Sequence, residues 1–177
     1  MLSSTAAQRR TAPPLHRIAN PPAGDATAPT ATTDETIQTL CLTRELDIAA
    51  PIDITFHAVL AELGPGSEMP DGTPFPMKLE PWPGGRWYRD LGNGAGHWWG
   101  HVQVIKPPTL LELAGPMFMS YPATSHVQYR LSSSGSGTRL QLTHRAIGLI
   151  TPEHAEGVSE GWQHGLNRIR QIAEQRT

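Results

Sequence analysis

The stretch Pro81-Trp82-Pro83-Gly84-Gly85-Arg86-Trp87-Tyr88, running on to Gly96-His97-Trp98-Trp99-Gly100-His101-Val102 and closed by Pro107-Pro108, decides how this chain reads. Four of the five tryptophans fall between positions 82 and 99. Residues 86–91 and 97–105 read as neighbouring antiparallel strands, because Asn93-Gly94 between them supplies the positive-φ pair that a tight hairpin demands. So much aromatic surface on adjacent strands needs a cover. The only long helical segment stands at the far end of the chain, and a curved sheet wrapped around one terminal helix commonly encloses a cavity. A container for a ligand is the first functional expectation.

Outward from that hairpin, strands are expected at 77–80, 110–114, 126–132 and 138–145, the last two joined by Ser134-Gly135-Ser136-Gly137. Val127, Tyr129 and Leu131 alternate with His126, Gln128 and Arg130, and Leu140, Leu142 and His144 alternate with Arg139, Gln141 and Thr143. Such period-2 patterns mark strands with one buried face. Upstream, Leu40, Leu42, Arg44, Leu46 and Ile48 share a face in the same way, with one charged intruder. Pro51 suits the first turn of a helix over 52–63, whose apolar residues recur at helical spacing until Gly64-Pro65-Gly66 stops it. Residues 67–76 form a Pro/Gly-rich loop, long enough to serve as a lid.

Thr151 is the expected N-cap of the closing helix, with Pro152 in its first turn and Glu153 and Glu156 near its positive end. Val158, Trp162, Leu166, Ile169 and Ala173 make its apolar stripe. Some 23 residues give a rod about 35 Å long. Gly157, Gly161 and Gly165 recur every four residues, and each interior glycine costs about 0.8–1 kcal/mol relative to alanine. Either close packing of a strand or empty space beside the helix has to account for them. Arg168, Arg170 and Arg176 are expected to complement the negative end of the helix dipole.

Composition bounds the function. The chain of 177 residues carries a formal charge of −2, and its pI is near 6.4. Neither supports binding to nucleic acid, whose phosphates need a concentrated basic surface. Cys41 is the single cysteine, so no internal disulfide forms and nothing argues for export. No apolar run is long enough to span a membrane, and the cytosol is the expected location. Residues 1–36 are rich in Ala, Pro and Thr and read as a disordered tail, since they cannot bury enough apolar surface to offset their ordering entropy. Arg9, Arg10 and Arg17 give that tail a faint likeness to a transit peptide, which Pro13-Pro14 and Pro21-Pro22 spoil. Residues 37–177 are the folded domain.

The order strand, short helix, six strands, long helix resembles the helix-grip superfamily called SRPBCC, which includes START lipid-transfer domains, birch-pollen-allergen-like proteins and polyketide cyclases. The nearer likeness is to the branch related to the activator of the heat-shock-protein-90 ATPase. It rests on Arg44–Pro51 leading into Phe56, on Pro83-Gly84-Gly85-Arg86 and on Gly100-His101-Val102 before Pro107-Pro108. Gly137-Thr138-Arg139-Leu140 before Thr143-His144, and Gly161-Trp162 with Leu166, complete it. The resemblance implies an α+β fold with about seven antiparallel strands around a long C-terminal helix. It carries over no catalytic residues, because this superfamily hosts binders, enzymes and co-chaperones on one scaffold.

Among candidate sites, His97 and His101 are four apart on a strand, hence about 13 Å from each other. Two ligands of one zinc, each about 2 Å from the ion, lie far closer, so no metal is expected. No nucleophile elbow or phosphate-binding glycine loop is present, and no cofactor is expected. Polar groups on apolar faces remain. Arg44 cannot stay buried without a carboxylate, water or a ligand anion. Arg44, Tyr129 and His144 are the candidate polar contacts of a cavity, and Trp87, Trp98 and Trp162 its candidate aromatic walls. The expected role is binding of a small, mostly apolar molecule between sheet and last helix. A cyclase or dehydratase with His144 as base and Arg44 as oxyanion partner is one alternative. A co-chaperone-like interaction module is the other, with room for a homodimer or chaperone contact.

Overall fold

A computed structural model of the chain describes residues 35–117 and 120–177; the disordered-tail reading therefore lies, up to residue 34, outside the described residues. Alternating side chains build β1 (Gln38–Ile48), β6 (Ala123–Ser134) and β7 (Gly137–Gly148). Between and beyond them come α1 (Ile52–Glu62), β2 (Lys78–Leu79), β3 (Arg86–Gly92), β4 (Ala95–Lys106), β5 (Leu110–Gly115) and α2 (Pro152–Glu174). The seven strands form one sheet in the order β1-β7-β6-β5-β4-β3-β2, and every pairing is antiparallel. This is the expected α+β helix-grip arrangement. No described helix is long and apolar enough to cross a membrane.

The expected turn chemistry is visible. Asn93 and Gly94 both have positive φ (51° and 76°), the combination that matches the strand twist across β3–β4. The β6–β7 ladder runs to its turn, Ser134 facing Gly137, so both strands outlast their apolar cores. Thr151 caps α2 by accepting from the His154 N–H, with Pro152 opening the helix. No basic residue lies in the last turn of α2. The expected role of the arginines at the helix dipole is thereby corrected for Arg168, which turns sideways to Glu68, its Nε 2.9 Å from Oε1.

The core lies on one face of the sheet. Leu111, Leu113, Val127, Tyr129, Leu140, Leu142 and His144 are all within 1% of full burial there. The apolar stripe of α2, Val158 through Ala173, covers them, with Trp162 meeting Tyr129 edge-on at 6.2 Å. Phe56 and Val59 of α1 join the same core.

One irregularity re-aims the tryptophans. Trp87 pairs with Gly100 but Tyr88 pairs with Trp98, so Trp99 is an extra residue in β4. Such a bulge reverses the in–out alternation beyond it. Trp99, Gly100 and Val102 are consequently buried, while Trp98 is turned to solvent. Gly100 sits where β4 and β5 come close: a Cβ there would lie 2.6 Å from the Ala114 carbonyl oxygen. Gly100→Ala is expected to cost about 2 kcal/mol, as overpacking of a close-fitted interior does. The check is a lower urea midpoint at unchanged slope; an unaltered midpoint would show that the strands part there freely.

Candidate functional site

Between the sheet and α2 lies a cavity of about 510 Å³. Its floor is aromatic. Trp87 and Trp99 meet edge-on at 5.5 Å, and Phe75 stacks on Trp99 at 5.7 Å. Trp87 is fixed by donating its indole N–H to the Leu63 carbonyl at the end of α1. Tyr129 and Trp162 close the deep side. The loop over 67–76 is an ordered flap: Phe75 N–H donates to Ser67 O, Met69 N–H to Thr73 O, and Gly72 turns with φ 83°. Met69, Pro70 and Phe75 reach the cavity from it. Arg89 lies over the Phe75 ring, its Cζ 3.8 Å from the centroid, and clamps the base of the flap.

The far wall is backbone. Gly157, Gly161 and Gly165 line the cavity along α2, and a Cβ added at any of them would meet nothing within 4 Å. The glycines therefore border open space and do not serve close packing of a strand. Gly157 and Gly161 are themselves exposed, so water reaches the cavity along this stretch. His154 and His164 flank it, and the His164 ring nitrogen lies 3.2 Å from the Glu68 carbonyl oxygen of the flap.

Few polar groups face this apolar interior. Glu62, the last residue of α1, is 7% exposed, and its Oε2 makes no hydrogen bond among the described residues. Burial pushes its carboxyl up to about 8, with Arg168 pulling it down and Glu68 pushing it further up. The Arg168 Nε stands 3.9 Å from Glu62 Oε2. It is nearer to Glu68 but its N–H is not aimed well enough to bond there. Tyr129 is held well above the usual phenol range by burial and by the Glu62 charge.

Residues 72–174 match the family model described as activator of Hsp90 ATPase homolog 1-like protein. The chain belongs to this family. No curated protein matches it in sequence. Among solved structures it is similar to an uncharacterised protein from Rhizobium leguminosarum, at 19% identity over 81% of this chain and 99% of that one, TM-score 0.61. It is also similar to Ara h 8.0201, at 12% identity over 78% and 99%, TM-score 0.59. A third is the di-domain ARO/CYC StfQ from the steffimycin biosynthetic pathway, at 14% identity over 78% and 51%, TM-score 0.56. At these identities the likeness is one of fold.

Within this Hsp90-activator-like domain the six candidate residues divide evenly. Trp87, Tyr129 and Trp162 line the cavity together. Trp98 does not: the bulge at Trp99 leaves it 51% exposed, stacked on His101 outside. Arg44 does not either. It faces α2 from the edge strand, its Nη2 donating to Ser159 Oγ at 2.7 Å. His144 lies behind Trp162, fully buried, with Nδ1 accepting from Trp162 Nε1 at 2.9 Å. Trp99, Phe75 and Glu62 were missed. Trp99 shares its sequence signal with Trp98, and Glu62 looks like any helix-end carboxylate until burial distinguishes it.

Two stability measurements check this geometry. Gly157→Ala, Gly161→Ala and Gly165→Ala are each expected to stabilise by about 0.8 kcal/mol, the helix gain with no clash to offset it. A loss in chemical denaturation would mean that the glycines serve packing after all. The second concerns pH. Glu62 titrates near 8 when folded against 4.5 ordinarily, so between those values the folded chain keeps a proton the unfolded chain has released, and stability falls as pH rises. His144, lowered from 6.5 to about 4 by burial and by His126, works the other way, since the unfolded chain takes a proton that the folded one refuses as pH drops. Glu62→Gln is expected to raise Tm over the parent at about pH 9 and much less at about pH 5. A gain equal at both would place Glu62 in the ordinary carboxylate range.

Proposed function

We propose that the protein reversibly binds a small, mostly apolar molecule in the cavity between the sheet and α2. The glycine stripe carries this reading. Three residues that each weaken the helix border unfilled space, and the Trp87, Trp99 and Trp162 rings stand around the same space. An apolar chamber of a few hundred Å³ with sparse polar groups is the usual form of a small-molecule site. The cyclase alternative needed Arg44 and His144 to converge on one substrate. Arg44 is engaged with Ser159 and His144 with Trp162, and neither lines the cavity. The co-chaperone alternative draws on family membership alone.

Equilibrium dialysis of the full chain with 2-ethylnaphthalene tests the proposal. Saturable binding is expected, weakened about tenfold or more in Gly161→Leu, whose side chain would occupy the space a ligand needs. Absence of saturable binding to the parent, or equal affinity in the variant, would overturn it.

A further inference from the structure

Resting on the cavity reading above, we infer that Glu62 is a specificity-determining residue: its buried carboxylic acid donates a hydrogen bond to a carbonyl-type acceptor on an otherwise apolar, uncharged ligand. Glu62 lines the cavity, is 7% exposed, and leaves Oε2 without a hydrogen bond among the described residues. A buried oxygen in that condition makes a charge on the carboxyl costly and favours the neutral acid. Arg168 does not complete it, because its Nε stays 3.9 Å away and lies nearer to Glu68. Oε2 is shut away beside Arg168, and it is through the other carboxyl oxygen, Oε1, that Glu62 borders the cavity.

The surroundings define the chemistry of a partner for the acid. Glu68 and Arg168 stand 2.9 Å apart and offset each other's charge, so neither an anion nor a cation meets an unopposed partner beside Glu62. The remaining lining is overwhelmingly hydrocarbon and aromatic, where an unpaired charge is penalised most. A neutral ligand is left. Burial keeps the acid protonated up to about 8, so at neutral pH it has an O–H to give and suits an acceptor such as a ketone. The Tyr129 phenol, which faces the same cavity and feels the Glu62 charge, offers a second donor. Arg168 from α2 and Glu68 from the flap act on Glu62 directly, and His154 and His164 from α2 and Tyr129 from β6 are the other titratable groups that line the cavity with it.

The test compares two probes of nearly equal shape, 2-acetylnaphthalene and 2-ethylnaphthalene, by equilibrium dialysis with the full chain. In the parent, affinity for the ketone is expected to fall several-fold between about pH 6.5 and about pH 9.5 while affinity for the hydrocarbon stays level. Glu62→Gln, which keeps an N–H donor that does not titrate, is expected to retain ketone binding and lose that pH dependence. Glu62→Leu is expected to lower the ketone-to-hydrocarbon affinity ratio about tenfold, the loss of one buried donor. Hydrocarbon binding with the same ratio in parent and Glu62→Leu, or no pH dependence in the parent, overturns this inference and leaves the cavity reading standing. Binding of neither probe overturns both. The parent's pH arm decides even where the Leu variant does not fold.

Discussion

Everything at the site depends on one buried hydrogen bond, from Trp162 Nε1 to His144 Nδ1. An indole nitrogen can only donate, so His144 must present an unprotonated Nδ1 and carry its proton on Nε2. Burial enforces this by holding the ring far below its ordinary titration range. The bond joins the middle of α2 to β7, the strand beside the edge, where His144 pairs with Val127 and Leu42 on either side. Breaking it would strip the buried His144 Nδ1 of its donor, a loss of roughly 1–3 kcal/mol. Trp162 is thus a fixed strut as well as a wall, and it sets the distance between helix and sheet.

That strut explains how the cavity survives. A helix free to settle would sink its glycine side onto the tryptophans, since apolar surfaces gain by closing on each other. Val158, Leu166, Ile169 and Ala173 bury the neighbouring side of α2 against the sheet and α1. The glycines at 157, 161 and 165 keep the remaining side without side chains to fill the space. On the opposite wall, the Trp87 indole is tied to Leu63 and Arg89 covers Phe75. Both walls are therefore held independently of whatever lies between them.

How much of this was legible in the chain follows from which signals are local. Alternation in β1, β6 and β7, the Asn93-Gly94 turn and the Thr151-Pro152 helix start are written in neighbouring residues, and the fold followed from them. The inward side of the Trp98-Trp99 pair was not, because a bulge is a property of two strands and shifts alternation by one residue without a local mark. Strict alternation puts Trp98 inside, where the bulge puts Trp99. Alternation puts Arg44 on the apolar face of β1, but its partner, Ser159, is 115 positions away. Its place on the edge strand β1, far from the aromatic wall in sheet order, removes it from the cavity. The glycine stripe shows its energetic cost in the sequence, but only three-dimensional geometry chooses between packing and space.

Glu62 shows why polar groups are the last thing a sequence discloses. As the final residue of a short helix followed by Gly64-Pro65-Gly66, it has the features of a solvated terminus. The turn instead folds the chain back, bringing Ser67 and the flap over it, with Met77 N–H bonded to Gly64 O. Arg168 reaches the same spot from α2, three residues beyond the last of the glycines. Glu62 is thereby shut in with a cation close enough to lower its charge cost but too far to satisfy it. A carboxyl shut in at the edge of an apolar chamber is costly to ionise and so keeps an O–H for a complementary group. The same desolvation that makes the carboxyl a liability for folding makes it selective for what it binds.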